Sequence, residues 1–289
     1  MTDGYNKDVE MKKHLFVSDM DGTLLGPDSR VGEESARIIT ELSRRGVPVT
    51  VATARTPATV EVLLERTETI VPAIVMTGAA LWDRVRGRYI NPVFVGEKVL
   101  PEVLRAFAAE GVEPFVYVLE GESELVVHHV AEMNTREERF YEERRGLKWK
   151  RFVLGDSPAL HGVGRTMLLF AMGDAARVEA VAARLRGVRG VSVSCYRDIF
   201  NHDVALIEVF GADVSKAKAI RWLADSIGAE RVTVYGDNLN DLPMFEVADE
   251  AVAVANAFPA VIARADRVIG ANSEEAVARD IGLRFGFKV

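Results

Sequence analysis

Phe16-Val-Ser-Asp-Met-Asp-Gly-Thr23 decides how the rest of the chain reads. The short run His14 to Val17 ends abruptly in polar residues and glycine, as a buried parallel strand does at its carboxyl end. Asp19 then sits at the mouth of a sheet. Asp21 follows two residues on, so an extended chain points both carboxylates to one side. Two like charges that close repel, and one of them protonates unless a cation such as Mg²⁺ neutralises the pair. Standing alone, Asp-X-Asp-Gly-Thr is equally a solvated turn with acidic caps.

Working outward, the same pattern recurs. Glu33 to Arg45 carries Ala36, Ile39 and Leu42 at helical spacing, then Gly46 precedes the run Val47-Pro-Val-Thr-Val51. A helix near Ala58 to Arg66 leads to Ile74-Val-Met76, closed by Thr77-Gly78. In the last third, a helix from Lys216 to Ile227 precedes the strand Val232 to Tyr235, the turn Gly236-Asp237-Asn238 and a further strand, Val252 to Val254. Alternating strands and helices predict an α/β fold, a doubly wound parallel sheet of Rossmann-like type. Between the halves the texture changes. Helices near Leu100 to Glu110 and Ala175 to Arg186 stand among four strand-like runs, Pro114 to Leu119, Glu124 to Val130, Thr166 to Ala171 and Val191 to Cys195. Single alternation is lost there, so residues 84–203 are expected to form an inserted α+β cap domain, with 1–83 and 204–289 as a discontinuous core.

Three more strand ends carry polar groups. Ala52-Thr53-Ala54-Arg55 offers a hydroxyl, turn amides and a guanidinium to a phosphate, although Thr53 or Thr56 also suits a helix N-cap. Lys216 opens a predicted helix, and only nine of the 36 basic residues are lysines. Asp237, Asn240 and Asp241 fill a glycine turn with hard oxygen ligands of the kind Mg²⁺ takes, and Asp and Asn are also common turn formers. In a parallel sheet these ends share one edge, where ligands bind.

Taken in order, Asp19-Met-Asp-Gly-Thr23, Thr53, Lys216 and Gly236-Asp-Asn-Leu-Asn-Asp241 resemble the four motifs of the haloacid dehalogenase (HAD) superfamily of phosphatases. Within it the chain resembles the Cof-type branch with a large inserted cap, type IIB. The resemblance spans the chain, including the pair Asn256-Ala257; the insertion matches in position and length only. It implies a Mg²⁺-dependent phosphatase in which Asp19 is the nucleophile and Asp21 the general acid and base. Thr53 and Lys216 would hold the phosphoryl oxygens, Asn240 would be an additional phosphate group or stand just behind one, and Arg55, from its own place beside Thr53, is a further candidate for the phosphate. Asp19, Asp237, Asp241 and the main-chain carbonyl of Asp21 would hold the metal. Small phosphorylated metabolites, sugar phosphates above all, are the implied substrates. The branch usually has Asn-Gly-Ala where this chain has Thr77-Gly-Ala79, which touches on a substrate contact. It usually has Gly at positions 54 and 217, where this chain has Ala.

Composition narrows the partners. A net charge of −7, with no long cluster of Lys and Arg, argues against nucleic acid. No apolar run reaches the roughly 20 residues of a membrane span. The single cysteine, Cys195, makes no internal disulfide, and the polar start Met1 to Lys13 is unlike a secretory signal, so a cytoplasmic monomer or homodimer is expected. Two other classes stay open. A receiver-like domain shares acidic strand ends and an aspartyl phosphate but is smaller and has no cap, and an inactive phosphate-binding protein would not need all four motifs filled. A nicotinamide or flavin enzyme would need G-x-G-x-x-G after the first strand, which is absent. Arg165, Tyr196, Arg197, His128, His129 and His202 are the insertion's candidates for contact with a leaving group.

Overall fold

The computed structural model describes residues 13–155, 164–198 and 201–288. The chain divides into two compact units: residues up to Ile90 together with those from Ser215 on, and Asn91–Val214. Strands β1 (His14–Ser18), β2 (Val49–Val51), β3 (Ala73–Val75), β4 (Ala80–Asp83) and β5 (Arg88–Ile90) open the first unit. The second holds β6 (Phe115–Glu120), β7 (Glu124–His129), β8 (Lys150–Leu154), β9 (Thr166–Asp174), β10 (Val191–Arg197) and β11 (Val204–Gly211). The first unit resumes with β12 (Arg231–Gly236), β13 (Glu250–Val254) and β14 (Arg267–Ile269).

In the first unit the sheet runs β14-β13-β12-β1-β2 with every neighbour parallel. A bridge from Ala52 to Ile74 brings β3 alongside β2, and β3-β4-β5 continue as an antiparallel ribbon. The chain begins in the middle, winds outward through β2, and later lays β12, β13 and β14 on the other side of β1. Strand order therefore reverses between β1 and β12, and the carboxyl ends at such a switch point are where sheets of this kind bind ligands. Leu15, Phe16 and Val17 are buried on both faces, which is why β1 reads as a continuous rather than alternating run. The helix Glu33–Arg44 buries Ala36, Ile39 and Leu42 as one stripe, with Glu33 and Glu34 at its positive end and Arg44 at its negative end.

The second unit is a six-stranded sheet, β10-β11-β9-β6-β7-β8, antiparallel except between β7 and β8. The helices Leu100–Ala109 and Ala175–Leu185 cover one face, packing Val103, Phe107, Val178 and Val181 with Leu169, Ile207 and Val209. The alternate residues Phe115 and Phe170 point to the opposite face. There Phe140, from the helix Thr135–Glu142, rests on both rings at 5.1 and 5.2 Å.

Patterning places the crossings between units at 83/84 and 203/204; in the structure they fall at 90/91 and 214/215. The β4–β5 hairpin stays with the first unit because β4 pairs with β3. Strand β11 stays with the second because it lies between β9 and β10. Among the described residues no helix is long and apolar enough to cross a membrane.

Candidate active site

The carboxyl ends of β1 and β12 bring the acidic motifs together. Asp19 follows β1 directly, its amide donating to the Tyr235 carbonyl on β12 at 2.9 Å. Lys216, first residue of the helix Lys216–Ile227, is buried and donates from Nζ to Asp19 Oδ1 at 2.6 Å and to Asp241 Oδ1 at 2.9 Å. The other Asp241 oxygen accepts from the amides of Asp237 and Asn238, both at 3.1 Å, and so closes the turn after β12. Asp237 accepts the Thr23 hydroxyl at 2.7 Å. The loop passes this carboxylate at Gly22, whose φ is +81° and whose missing Cβ would lie 2.5 Å from Asp237 Oδ2. A side chain there would be strained by the positive φ and would push the Asp237 carboxylate aside. Asn256 secures the loop by donating to the Gly22 carbonyl at 2.8 Å.

Asp19, Asp237 and Asp241 offer carboxylate oxygens that all lie within 4.8 Å of one another. Burial pushes Asp19 up to about 7 against the pull of Lys216, with Asp241 adding to the rise. Burial likewise raises Asp237, against the Thr23 hydrogen bond. Burial alone would lower Lys216, but Asp19 and Asp241 outweigh it and hold the ammonium above the ordinary lysine value. Three carboxylates crowded round one ammonium are under-neutralised, and the raised Asp19 and Asp237 fit a site built for a divalent cation. Asp241 already spends both oxygens on Lys216 and on two amides, so Asp19 and Asp237 are the freer donors.

The remaining sequence candidates divide. Thr53 is buried, and its hydroxyl accepts the Arg55 amide at 3.2 Å. Main-chain bonds from Thr53 to Ile74, from Met76 to Arg55 and from Thr77 to Thr53 stitch the ends of β2 and β3 together. The Asp21 carboxylate stands outside the acidic trio and turns to Arg55, leaving only its main-chain carbonyl for the metal role the resemblance implies. Asn240 is exposed in the short turn Leu239–Asp241 and makes no hydrogen bond among the described residues.

Thr23, Asn256 and Gly78 do work that patterning does not assign. Gly78 has φ +93°, and a Cβ there would strike the Ser215 carbonyl just before Lys216. The usable signal is glycine in a strand-end turn, but its packing partner is 137 positions away (Ser215 minus Gly78). In the second unit, Arg165 is committed to the carbonyls of Leu119 and Gly121, Arg197 to Glu179, and His129 stacks on Phe115. Tyr196 is half exposed, and burial pushes the Cys195 thiol up.

A sequence profile for haloacid dehalogenase-like hydrolases matches residues 16–281. The chain belongs to that family. This HAD chain is 24% identical over 282 residues to the 5-amino-6-(5-phospho-D-ribitylamino)uracil phosphatase YitU of Bacillus subtilis, covering 94% of this chain and 97% of that protein. A haloacid dehalogenase-like hydrolase from Bacteroides thetaiotaomicron shares its fold with a TM-score of 0.74 at 20% identity, over 93% of this chain and 98% of the other. The HAD subclass IIB sugar phosphatase BT4131 does so with a TM-score of 0.69 at 17% identity, over 94% and 99%. The protein is a HAD-type phosphatase.

Proposed function

We propose that this phosphatase is magnesium-dependent and hydrolyses small phosphorylated metabolites, sugar phosphates foremost, through an aspartyl phosphate on Asp19. The observation that carries this reading is Lys216 Nζ bound to Asp19 Oδ1 within the acidic trio at the sheet's switch point. The free Asp19 oxygen attacks phosphorus and the bond to the leaving alcohol breaks. Asp21, as a carboxylic acid, gives its proton to the departing oxygen. Water then attacks the acyl phosphate and loses its proton to Asp21, which restores both residues. Lys216 holds the nucleophile in line and places charge beside the phosphoryl oxygens. Thr53 and Asn240 are the neutral groups assigned to those oxygens. Mg²⁺, held by Asp19, Asp237 and the Asp21 carbonyl with Asp241 in support, would add positive charge where it develops in phosphoryl transfer.

The names of YitU and BT4131, a ribityl phosphate phosphatase and a sugar phosphatase, support a phosphorylated polyol or sugar as substrate. Asp19→Asn should abolish turnover of aryl and sugar phosphates with the fold intact. Acid quenching of the wild type during turnover should leave phosphate on the peptide that contains Asp19. Turnover that survives either Asp19→Asn or excess chelator sinks the nucleophile or the metal assignment respectively.

A further inference from the structure

The reading above gives Asp21 work at the leaving oxygen, yet its carboxylate is held elsewhere. Arg55 Nε donates to Asp21 Oδ2 at 2.8 Å, and Arg55 Nη2 to Oδ1 at 2.7 Å. Both oxygens are occupied in a two-pronged bridge, so neither is aimed at a substrate. The two side chains are 30% and 50% exposed, so water and other anions can reach the bridge and compete for either partner. Arg55 itself is well anchored. Its amide donates to Thr53 Oγ1 at 3.2 Å and its carbonyl accepts the Met76 amide at 3.0 Å. A fixed backbone thus carries a guanidinium fork beside the phosphate-binding turn, loaded with a carboxylate that another anion of the same shape could replace. The Asp21 side chain is half exposed, so it can turn from Arg55 by rotation about its own bonds while the loop backbone stays in place.

We propose that Arg55 parks Asp21 in the free enzyme, and that the phosphate group of an incoming ester displaces the Asp21 carboxylate from Arg55, freeing Asp21 for the leaving oxygen. The acid–base group is thereby released only when a phosphate is present, and the freed carboxylate takes from solvent the proton that it then gives to the leaving oxygen. This rests on the assignment of Asp21 as the acid–base residue but concerns binding, so it is tested without turnover.

The test is a double-mutant cycle on the binding of inorganic phosphate, read by titration calorimetry with Mg²⁺ present throughout. If phosphate must compete with Asp21 for Arg55, Asp21→Asn tightens phosphate binding at least 5-fold, because an amide is a poorer rival. The same substitution in an Arg55→Ala background changes affinity less than 2-fold. Arg55→Ala alone weakens binding about 10-fold, and Arg55→Lys, with one point charge and no fork, falls between. Equal tightening by Asp21→Asn in both backgrounds would reduce the effect to removal of a negative charge and overturn the exchange. Unchanged phosphate affinity in both Arg55→Ala and Arg55→Lys would overturn it as well. Steady-state kinetics supply the further check: Arg55→Ala should raise KM and also lower kcat on an alkyl phosphate, whereas a merely structural arginine would shift Tm and leave the KM-to-kcat pattern alone. Failure of this cycle with Asp19→Asn still inactive leaves the phosphatase mechanism standing and removes only the exchange.

Discussion

Two lysines are buried to nearly the same depth, Lys216 in the first unit at 3% exposure and Lys150 in the second at 6%, and their surroundings treat them in opposite ways. Lys216 sits between two carboxylates and stays charged. Lys150 lies over the rings of Phe140 and Phe152, at 5.9 and 5.4 Å, and no carboxylate pairs with it among the described residues. Burial, helped by Arg144, lowers it to about 7. Ring faces do attract an ammonium, but at about 0.5–2 kcal/mol each they offset only part of the desolvation of a lysine this deep. The same side chain is thus a fixed cation in one unit and one that gives up its proton near neutral pH in the other. Depth does not mark a functional lysine; the anions around it do.

The contrast breaks most visibly at Lys216. Lys216→Met should lower kcat by about 10³-fold with a smaller change in KM, since its charge matters most as the phosphoryl group moves. It also strands Asp19 and Asp241, so unfolding free energy should fall by about 3–5 kcal/mol in the metal-free protein and by less with Mg²⁺. Separate kcat and KM values with chemical denaturation check both. Next in size is Gly78→Ala, which puts a methyl group against the Ser215 carbonyl at a position with φ +93°. The start of the helix carrying Lys216 must shift, at about 2–4 kcal/mol of stability and on the order of 10- to 100-fold in kcat. A fully active, fully stable Gly78→Ala would show that Lys216 does not depend on that contact.

Lys150 gives the converse. Its folded pKa of about 7 lies below the ordinary 10.5, so the folded state binds fewer protons between those values. The contribution of Lys150 to stability therefore rises with pH through that window, and its destabilising effect is complete only below about pH 7. Lys150→Met should raise stability by about 1–3 kcal/mol near pH 6, with the gain fading towards about pH 10, and kcat unchanged. Urea unfolding of both proteins at several pH values decides it. A pH-independent difference would mean that Lys150 is charged in the folded state at every pH tested.

How much of this was legible in the sequence follows from range. Asp19, Lys216 and Asp237 announce themselves because each follows an abrupt end or start of a regular element, and the parallel sheet does the rest by putting those ends on one edge. The helix Thr135–Glu142 left no periodic signal: its sequence TREERFYE is polar nearly all round, and it is held by the Asn134–Glu137 capping box and by Phe140 on Phe115 and Phe170. The apolar run Val204–Gly211 resembles a buried core strand and does not say which sheet it joins. Arg55 and Asp21 could each be picked out as chemical groups, but that they bind each other depends on two loops 34 residues apart in the chain meeting in space. Local pattern fixes the groups at each strand end; only the packed loops fix their pairings.

The smallest effect concerns the turn that abuts Lys216. Thr77 adopts φ +59° and ψ 20°, the left-handed region, where a β-branched side chain is uncomfortable and asparagine is several-fold enriched. The strain is held in place by the Thr77 amide on the Thr53 carbonyl and by Gly78 against Ser215. Asparagine, usual here in the Cof-type branch, therefore has a purely conformational advantage apart from any contact with substrate. Thr77→Asn should raise stability by about 1 kcal/mol and leave kcat within about 2-fold, because the turn and the helix start keep their positions. Thermal unfolding and the kinetics of one sugar phosphate separate the two roles. A gain in stability with unchanged KM makes the preference for asparagine a matter of backbone, whereas a lower KM with no gain in stability makes residue 77 a substrate contact and removes strain from the account of how Lys216 is placed.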